Sequence, residues 1–150
     1  MIDNIEIKEM KKEHLDCVMV VENLSFKIPW SRNSFLEELT TNDLAIYFVA
    51  ISNGQVIGYG GFWRILDEGH ITNIAVHPEF RRCGIAAKIM DKILNVCDEN
   101  GIKSLTLEVR KNNFAAQNLY GKYGFKIEGV RKEYYTDTGE DALIMWRHSE

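Results

Sequence analysis

A glutamate occupies the middle of a stretch that otherwise has the pattern of a β-strand, SLTLEVR at residues 104–110. Strand alternation puts the three apolar side chains of this stretch on one face and Glu108 on the other. Because glutamate is depleted in strands, Glu108 has two interpretations. Either it lies on a solvated face or pairs with a cation, or it is a carboxylate that a rigid element holds ready to act as a base.

A glycine at the start of a predicted helix is the second candidate. Gly84 lies in RRCGIAAKIM at residues 81–90, and glycine disfavours a helix interior by ~1 kcal/mol relative to alanine. A helix N-terminus offers unpaired N–H groups and a positive dipole end, which together suit a phosphate. Gly84 would let a ligand approach the amides of residues 82–87, where Arg81 and Arg82 add positive charge. The alternative is a flexible helix start with arginines at the surface.

A tyrosine in the next predicted helix is the third candidate. Tyr120 follows Asn113 by seven residues, so the two share roughly one helix face. It lies beside a predicted core stripe of Ala115, Leu119 and Tyr123. On periodicity alone, such a tyrosine most often packs against the core while its hydroxyl finds water.

Helices and strands are interspersed along the whole chain. Apolar periodicity predicts helices at 11–25, 31–39, 82–99 and 113–123, and strands at 5–10, 44–52, 55–66, 69–76, 104–110, 125–135 and 141–147. SNGQ at 52–55 and DEG at 67–69 predict hairpin turns, and Gly101 fits a helix C-terminal cap. Because several strands are joined by hairpins, the pattern predicts an α/β (α+β) fold with a mixed, mostly antiparallel central sheet flanked by helices.

Length and composition restrict the class of protein. The 150 residues contain no linker-like stretch or repeat, so a single domain over 1–150 is expected. Eighteen Lys and Arg against 22 Asp and Glu give a net charge of −4, which argues against a nucleic-acid binder. The N-terminus lacks the apolar core of a signal peptide, and the longest apolar run is far below the ~18 residues of a membrane span. A cytoplasmic protein without a membrane partner is therefore expected.

The cysteines and histidines show no metal-ligand spacing. Cys17, Cys83 and Cys97 form no CxxC pair, and the four histidines are scattered. Neither a metal site nor a disulfide framework is predicted. Cys17 and Cys97 are expected to be buried small hydrophobic residues.

The combination of motifs resembles the GNAT acetyltransferase superfamily. RRCGIA at 81–86 matches the Q/R-x-x-G-x-G/A pattern that opens the central helix of that fold, and it follows the strand HITNIAV at 70–76. The resemblance is closer still to the RimI-type alanine N-acetyltransferases of bacterial ribosomal proteins. It covers nearly the whole chain through PWS at 29–31, NIAVHPEFRRCGIA at 73–86, LEVRKNNFAAQNLYGKYGF at 107–125 and RKEYYTDTGEDALIM at 131–145.

The resemblance implies an acetyl-CoA site and two catalytic groups. It implies that the backbone of Ile74, Ala75 and Val76 binds the pantetheine arm, that Arg82, Cys83, Gly84, Ile85, Ala86 and Ala87 cradle the pyrophosphate, and that Asn113 contacts the cofactor. It also implies Glu108 as the proton acceptor and Tyr120 as the proton donor. Two residues depart from the common pattern, since Ala86 replaces a frequent glycine and Cys83 a frequent basic residue.

The implied reaction is acetyl transfer from a thioester to an amine, which must be neutral to attack. An α-amino group titrates near ~7.7–8.0 and lysine near ~10.4, so deprotonating lysine at neutral pH costs about 3–4 kcal/mol more. A single carboxylate such as Glu108 is therefore better matched to an N-terminal amine. The leaving thiolate, whose thiol has a pKa of ~8.5, accepts a proton from Tyr120, whose ordinary pKa is ~10. Direct transfer in a ternary complex requires no cysteine nucleophile.

Three functions remain open at this point. The resemblance favours acetylation of the N-terminal alanine of a small-subunit ribosomal protein. Acetylation of small-molecule amines is the second function, and a non-catalytic acetyl-CoA-binding module is the third, although such a module needs neither Glu108 nor Tyr120. Asp137, Glu140 and Asp141 either attract a basic protein N-terminus or are ordinary solvated turn residues. Direct contact with nucleic acid is not expected, and the oligomeric state stays open.

Overall fold

The computed structural model describes residues 4–149, which build a seven-stranded sheet and the helices that cover it. The strands are Ile5–Glu9 (β1), Ala45–Ser52 (β2), Gln55–Ile65 (β3), Glu68–Val76 (β4), Ser104–Arg110 (β5), Lys126–Tyr135 (β6) and Glu140–His148 (β7). The α-helices are Leu15–Ser25 (α1), Arg32–Thr40 (α2), Ile85–Glu99 (α3) and Phe114–Lys122 (α4), and short 3₁₀ turns occupy Lys12–His14 and Pro78–Phe80.

The sheet has the spatial order β1-β2-β3-β4-β5-β7-β6. Neighbouring strands run antiparallel except β4 and β5, which run parallel. The connection between these two strands contains α3, as a parallel crossover requires. The predicted mixed, mostly antiparallel sheet flanked by helices is thus confirmed.

Side chains alternate between two hydrophobic clusters on opposite faces of the sheet. In β2, Phe48 and Ala50 lie in one cluster, whereas Tyr47 and Val49 lie in the other. Helices α3 and α4 pack on the first cluster, and α1 and α2 pack on the second. Helix α2 begins at the predicted cap, where the Ser31 hydroxyl accepts a hydrogen bond from a backbone N–H one turn later.

The two predicted hairpin turns have different outcomes. Asn53 and Gly54 form the β2–β3 turn with φ of 51° and 77°, as the SNGQ pattern predicts. The next turn lies at Leu66 and Asp67 rather than at DEG, because Glu68 already pairs with β3 as the first residue of β4. Leu66 has a left-handed φ of 57°, a conformation that leucine rarely adopts. Its residue type therefore did not indicate a turn at this position.

Two further expectations require correction. The helix predicted from residue 82 begins at Ile85, because Arg82 and Gly84 have φ values of 63° and 76°, which an α-helix does not contain. Cys97 is buried as expected, but Cys17 is exposed. The reason is that the buried face of α1 carries other residues, among them Val18 and Val21, and Cys17 lies off that face.

Candidate active site

A cleft opens where β4 and β5 diverge. Their parallel ladder runs only from Glu68–Ser104 to His70–Thr106. Just beyond it, Thr72 is skipped in the β3–β4 register and forms a β-bulge, which bends a strand and increases its twist. The Thr72 hydroxyl donates to the carbonyl of Gly61 at 3.3 Å, which holds the bulge in place.

A cavity of about 600 Å³ lies in this cleft. Its walls come from the α1–α2 connection, β4, the end of β5, the start of α4 and the β6–β7 turn. Four of the catalytic and cofactor-binding residues that the resemblance implies line it, namely Ile74, Glu108, Asn113 and Tyr120. The proposed acid and base therefore share one cavity, whereas residues 75–76 and 82–87 lie outside its lining.

Glu108 lies on the face of β5 that the alternation predicts. Its neighbours Leu107 and Val109 are buried, while the Glu108 side chain is 34% exposed. The Oε1 atom lies 3.6 Å from Nε of Arg131 on β6. The carboxylate therefore pairs with a cation, as one interpretation of the sequence predicts, and it also lines the cavity.

Tyr120 packs against the core and also reaches the cavity. Its ring lies 5.8 Å from that of Phe125, edge to face. Burial, with a smaller contribution from Tyr135, raises the pKa of Tyr120 to about 12, so the phenol stays protonated at neutral pH. Of the stripe predicted for this helix, Tyr123 packs against the core as expected, whereas Ala115 is exposed and its neighbour Ala116 packs there instead.

The turn before α3 has the geometry of an anion-binding site. The alternation of left-handed residues Arg82 and Gly84 with Cys83 between them is typical of backbone nests, in which successive N–H groups converge. The first hydrogen bond of the helix runs from the N–H of Lys88 to the carbonyl of Gly84, at 3.1 Å. The N–H groups of residues 85–87 come before it and have no carbonyl acceptor one turn earlier within the helix. A Cβ added at Gly84 would meet no atom within 4 Å, which leaves open space for a ligand.

The edge of β4 that faces the cleft suits a strand-like ligand. In the part of the chain that the structure describes, β4 pairs with β5 no further than His70. The side chain of Ala75 is buried in the sheet, and those of Ile74 and Val76 are partly buried in the opposite cluster. This edge therefore presents backbone N–H and C=O groups to the cleft. An extended chain can pair with such groups as an added strand.

Asn113 is the N-cap of α4. Its Oδ1 accepts a hydrogen bond from the N–H of Ala116 at 3.1 Å. The cap leaves Nδ2 of the same amide as a donor at the cavity wall, where a ligand contact was expected. Asn113 therefore has a structural function as a helix cap, and its contact with the cofactor stays a prediction.

Glu22 is a cavity residue that the sequence analysis missed. It is 1% exposed, and its carboxylate accepts hydrogen bonds from the N–H of Trp30 at 2.8 Å and from the hydroxyl of Tyr59. Burial and the charge of Glu22 raise the pKa of Tyr59. The signal in the sequence was a glutamate among apolar residues on one face of α1, where a charged side chain needs partners.

The acidic residues near the last turn are neither free nor merely solvated. Asp137 and Glu140 both pair with Arg110, at 2.9 and 3.4 Å, and the Arg110 hydrogen bonds lower the pKa of Asp137. Asp141 accepts a hydrogen bond from the N–H of Glu133 at 2.9 Å. These carboxylates hold the β6–β7 turn and are thus not merely solvated, while the attraction of a basic protein N-terminus stays a prediction.

The described residues contain no group of metal ligands and no membrane-spanning helix. Within residues 4–149, no three His, Cys, Asp or Glu side chains are grouped so that they could hold a metal ion. Among the helices of the described chain, none combines the length and the apolar character that a membrane crossing demands.

Known proteins resemble this chain along almost its full length. A protein of Bacillus subtilis strain 168, with a provisional name as a [ribosomal protein bS18]-alanine N-acetyltransferase, is 43% identical over 140 residues, covering 93% of both chains. The [ribosomal protein bS18]-alanine N-acetyltransferase of Escherichia coli K12 is 30% identical over 141 residues, covering 93% of this chain and 94% of the other. The crystal structure of the Escherichia coli ribosomal-protein-S18-alanine N-acetyltransferase superposes with a TM-score of 0.90 at 29% identity, covering 98% and 96%.

Residues 8–125 match the sequence model of the acetyltransferase (GNAT) family. Members of this family use acetyl-CoA, and the free β4 edge with the nest before α3 fits such a cosubstrate. The chain belongs to the GNAT acetyltransferase family and is an acetyl-CoA-dependent N-acetyltransferase.

Proposed function

We propose that this enzyme acetylates the α-amino group of the N-terminal alanine of ribosomal protein bS18. The observation that carries the proposal is that Glu108 of β5 and Tyr120 of α4 line one cavity at the divergence of β4 and β5. The names of the two relatives described above, together with their near-complete coverage, support the choice of substrate.

Acetyl-CoA supplies the activated acetyl group. Its pantetheine arm is proposed to pair with the backbone of Ile74, Ala75 and Val76, whose edge past His70 has no β5 partner in residues 4–149. Its pyrophosphate is proposed to bind at Arg82, Cys83, Gly84, Ile85, Ala86 and Ala87, where a helix N-terminus favours anions. Asn113 is proposed to contact the cosubstrate through the amide nitrogen that the helix cap does not use.

Glu108 is proposed to act as the general base that removes a proton from the substrate ammonium. The carboxylate is anchored on a strand, and Oε2 is the oxygen not engaged by Arg131. The α-amino group is the easier amine to deprotonate, since its pKa lies roughly two to three units below that of lysine. This difference supports a protein N-terminus over a lysine side chain.

Tyr120 is proposed to remain protonated and to donate a hydrogen bond from its phenol to the leaving sulfur of CoA. With a pKa of about 12, the phenol is a weaker acid than the sequence alone suggested. A thiol of ordinary pKa lies about 3.5 units lower, so complete proton transfer to a thiolate is uphill by about 5 kcal/mol. A hydrogen bond from the neutral phenol therefore stabilises the developing charge.

The test uses a peptide that begins with the bS18 alanine sequence and a twin whose N-terminus is blocked but whose lysines are identical. Release of free CoA from acetyl-CoA measures turnover, and mass spectrometry locates the acetyl group. We expect acetylation of the free α-amine only. Turnover of polyamines or aminoglycosides with neither peptide modified would refute the proposal and favour a small-molecule acetyltransferase.

A further inference from the structure

The turn between β6 and β7 forms a wall of the cavity, and the β6–β7 ladder is interrupted just before it. In the ladder, Arg131 pairs with Ala142 and the next pair is Tyr135 with Glu140. Residues 132–134 therefore bulge out of register. We call residues 132–138 the hairpin tip. The backbone holds it at Tyr135, which pairs with Glu140 and accepts a hydrogen bond from the N–H of Gly139 at 2.8 Å. For the rest of the hairpin tip, position depends on side-chain contacts.

Arg110, at the end of β5, supplies most of these contacts. Its Nη1 and Nη2 atoms donate to the two carboxylate oxygens of Asp137 at 3.0 and 2.9 Å. Its guanidinium carbon lies 4.0 Å from the centre of the Tyr135 ring. Glu140 accepts from Arg110 at 3.4 Å and from the N–H of Asn112 at 2.8 Å, which ties the tip to the β5–α4 connection. A planar guanidinium alone combines bidentate pairing with stacking, and lysine cannot replace it.

The same contacts extend to the proposed base. Tyr134 and Tyr135 pack edge to face with ring centres 5.1 Å apart. Arg131 lies 5.7 Å from the centre of the Tyr134 ring and 3.6 Å from Glu108. Both tyrosines line the cavity together with Glu108. Arg110 therefore fixes the hairpin tip relative to a carboxylate only two residues away on its own strand.

We propose that Arg110 is a positioning residue for the amine substrate, because it orders the hairpin tip as a wall of the cavity before the substrate binds. The proposal rests on the proposed function in taking that substrate to be a protein N-terminus. A wall that is ordered in advance saves the entropy of ordering it upon binding. Loss of Arg110 should therefore weaken peptide binding more than it slows the chemical step.

Amide hydrogen exchange on the free enzyme tests the ordering without any substrate. In Arg110→Met, exchange at residues 132–138 should accelerate about tenfold or more, whereas exchange in the core strands should not change. Arg64→Met is the matched control, because Arg64 also donates a hydrogen bond, to the Asn100 carbonyl at 3.0 Å, but lies outside the cavity lining. Unchanged exchange at 132–138 in Arg110→Met would overturn the proposal.

Steady-state kinetics with the alanine peptide test the consequence for binding. Arg110→Met should raise the peptide KM about tenfold while kcat and the KM for acetyl-CoA change less than about twofold. Arg110→Lys should recover only part of the loss, and Asp137→Asn should add little to Arg110→Met because the two residues act together. A fall in kcat with unchanged peptide KM, or an equal rise in both KM values, would contradict a positioning role. A wild-type enzyme that leaves the peptide unmodified would refute the proposed function instead, and hydrogen exchange would then decide the role of Arg110.

Discussion

His70 pairs with Thr106 at the end of the parallel β4–β5 ladder, and the two strands diverge beyond this pair. Glu108 is the next residue after Thr106 on the same face of β5. It is therefore the first side chain of that face beyond the β4–β5 ladder, at the edge that faces the open cleft. The bulge at Thr72 bends β4 at the same level, so the backbone geometry of two strands creates the position in which a carboxylate can meet a substrate.

Glu108→Gln removes the proposed base while it keeps the size of the side chain. We expect kcat/KM for the alanine peptide to fall about 10²–10⁴-fold, the usual contribution of general base catalysis. Acetyl-CoA affinity, measured by calorimetry, should change little. Glu128→Gln is the matched control, since Glu128 lies on β6 outside the cavity lining. Equal activity of the two variants would exclude Glu108 as the base.

Tyr120→Phe removes the phenolic hydroxyl but keeps the ring that packs on Phe125. We expect kcat to fall about 10²-fold because one preorganised hydrogen bond to a developing charge is lost. Single-turnover rates with saturating peptide and acetyl-CoA measure this effect. A substrate analogue whose leaving thiol is more acidic should reduce the difference between wild type and variant. A constant difference would mean that Tyr120 does not act on the sulfur.

The stability of the enzyme should fall above pH 10 because of Tyr120. The pKa of this group is raised from 10.0 to about 12 in the folded protein. Between these values the unfolded chain has lost the proton that the folded chain retains, so stabilisation is complete below pH 10 and is lost as pH rises towards 12. The free energy of unfolding should decrease by up to ~1.4 kcal/mol per pH unit from this residue. Urea unfolding at pH 9 to 11.5 should show a shallower decrease in Tyr120→Phe, and identical slopes would contradict the assignment.

Gly84→Ala separates backbone strain from cosubstrate binding. Gly84 and Gly101 have similar left-handed φ values of 76° and 71°, and a Cβ at either position meets no atom within 4 Å. Each substitution should therefore cost about 1–2 kcal/mol of stability through strain alone. Only Gly84→Ala should also weaken CoA binding, by about tenfold, which corresponds to 1.4 kcal/mol. Calorimetric titration with CoA compares the two variants, and equal affinities would argue against a pyrophosphate site at Gly84.

Glu22→Gln tests the buried carboxylate in the cavity wall. The carboxylate accepts from the Trp30 N–H at Oε2 and from the Tyr59 hydroxyl at Oε1, whereas an amide places an NH2 group, which is a donor, at one of these two positions. One buried donor is left without an acceptor, which should cost about 1–3 kcal/mol of unfolding free energy. Glu37→Gln, on the exposed side of α2, should change stability by less than about 0.5 kcal/mol. Urea unfolding measures both, and equal stabilities would mean that Glu22 does not hold this wall.

Local patterns determined the elements and several of the candidate residues. Apolar periodicity located the helices and strands, Ser31 and the SNGQ turn marked boundaries correctly, and alternation put Glu108 on the polar face of β5. These features depend on backbone conformation and on side chains within a few residues of one another, so a sequence contains them directly. The start of α3 was misjudged by three residues because Arg82 adopts a left-handed conformation that its residue type does not predict.

Only the tertiary structure decided how the cavity is built. The divergence of β4 and β5 lies next to a bulge at Thr72, a residue with no unusual local signal. The hydrogen bond of Glu22 with Tyr59 joins residues 37 positions apart in the sequence. The pairing of Arg110 with Asp137 joins residues 27 positions apart. In both cases only the order of strands in the sheet brings the two elements together. Asp137 and Glu140 carry the same charge in the sequence whether they face a substrate or an arginine. Their roles are set by which side chain lies within hydrogen-bond distance, and that distance is a property of the packed fold.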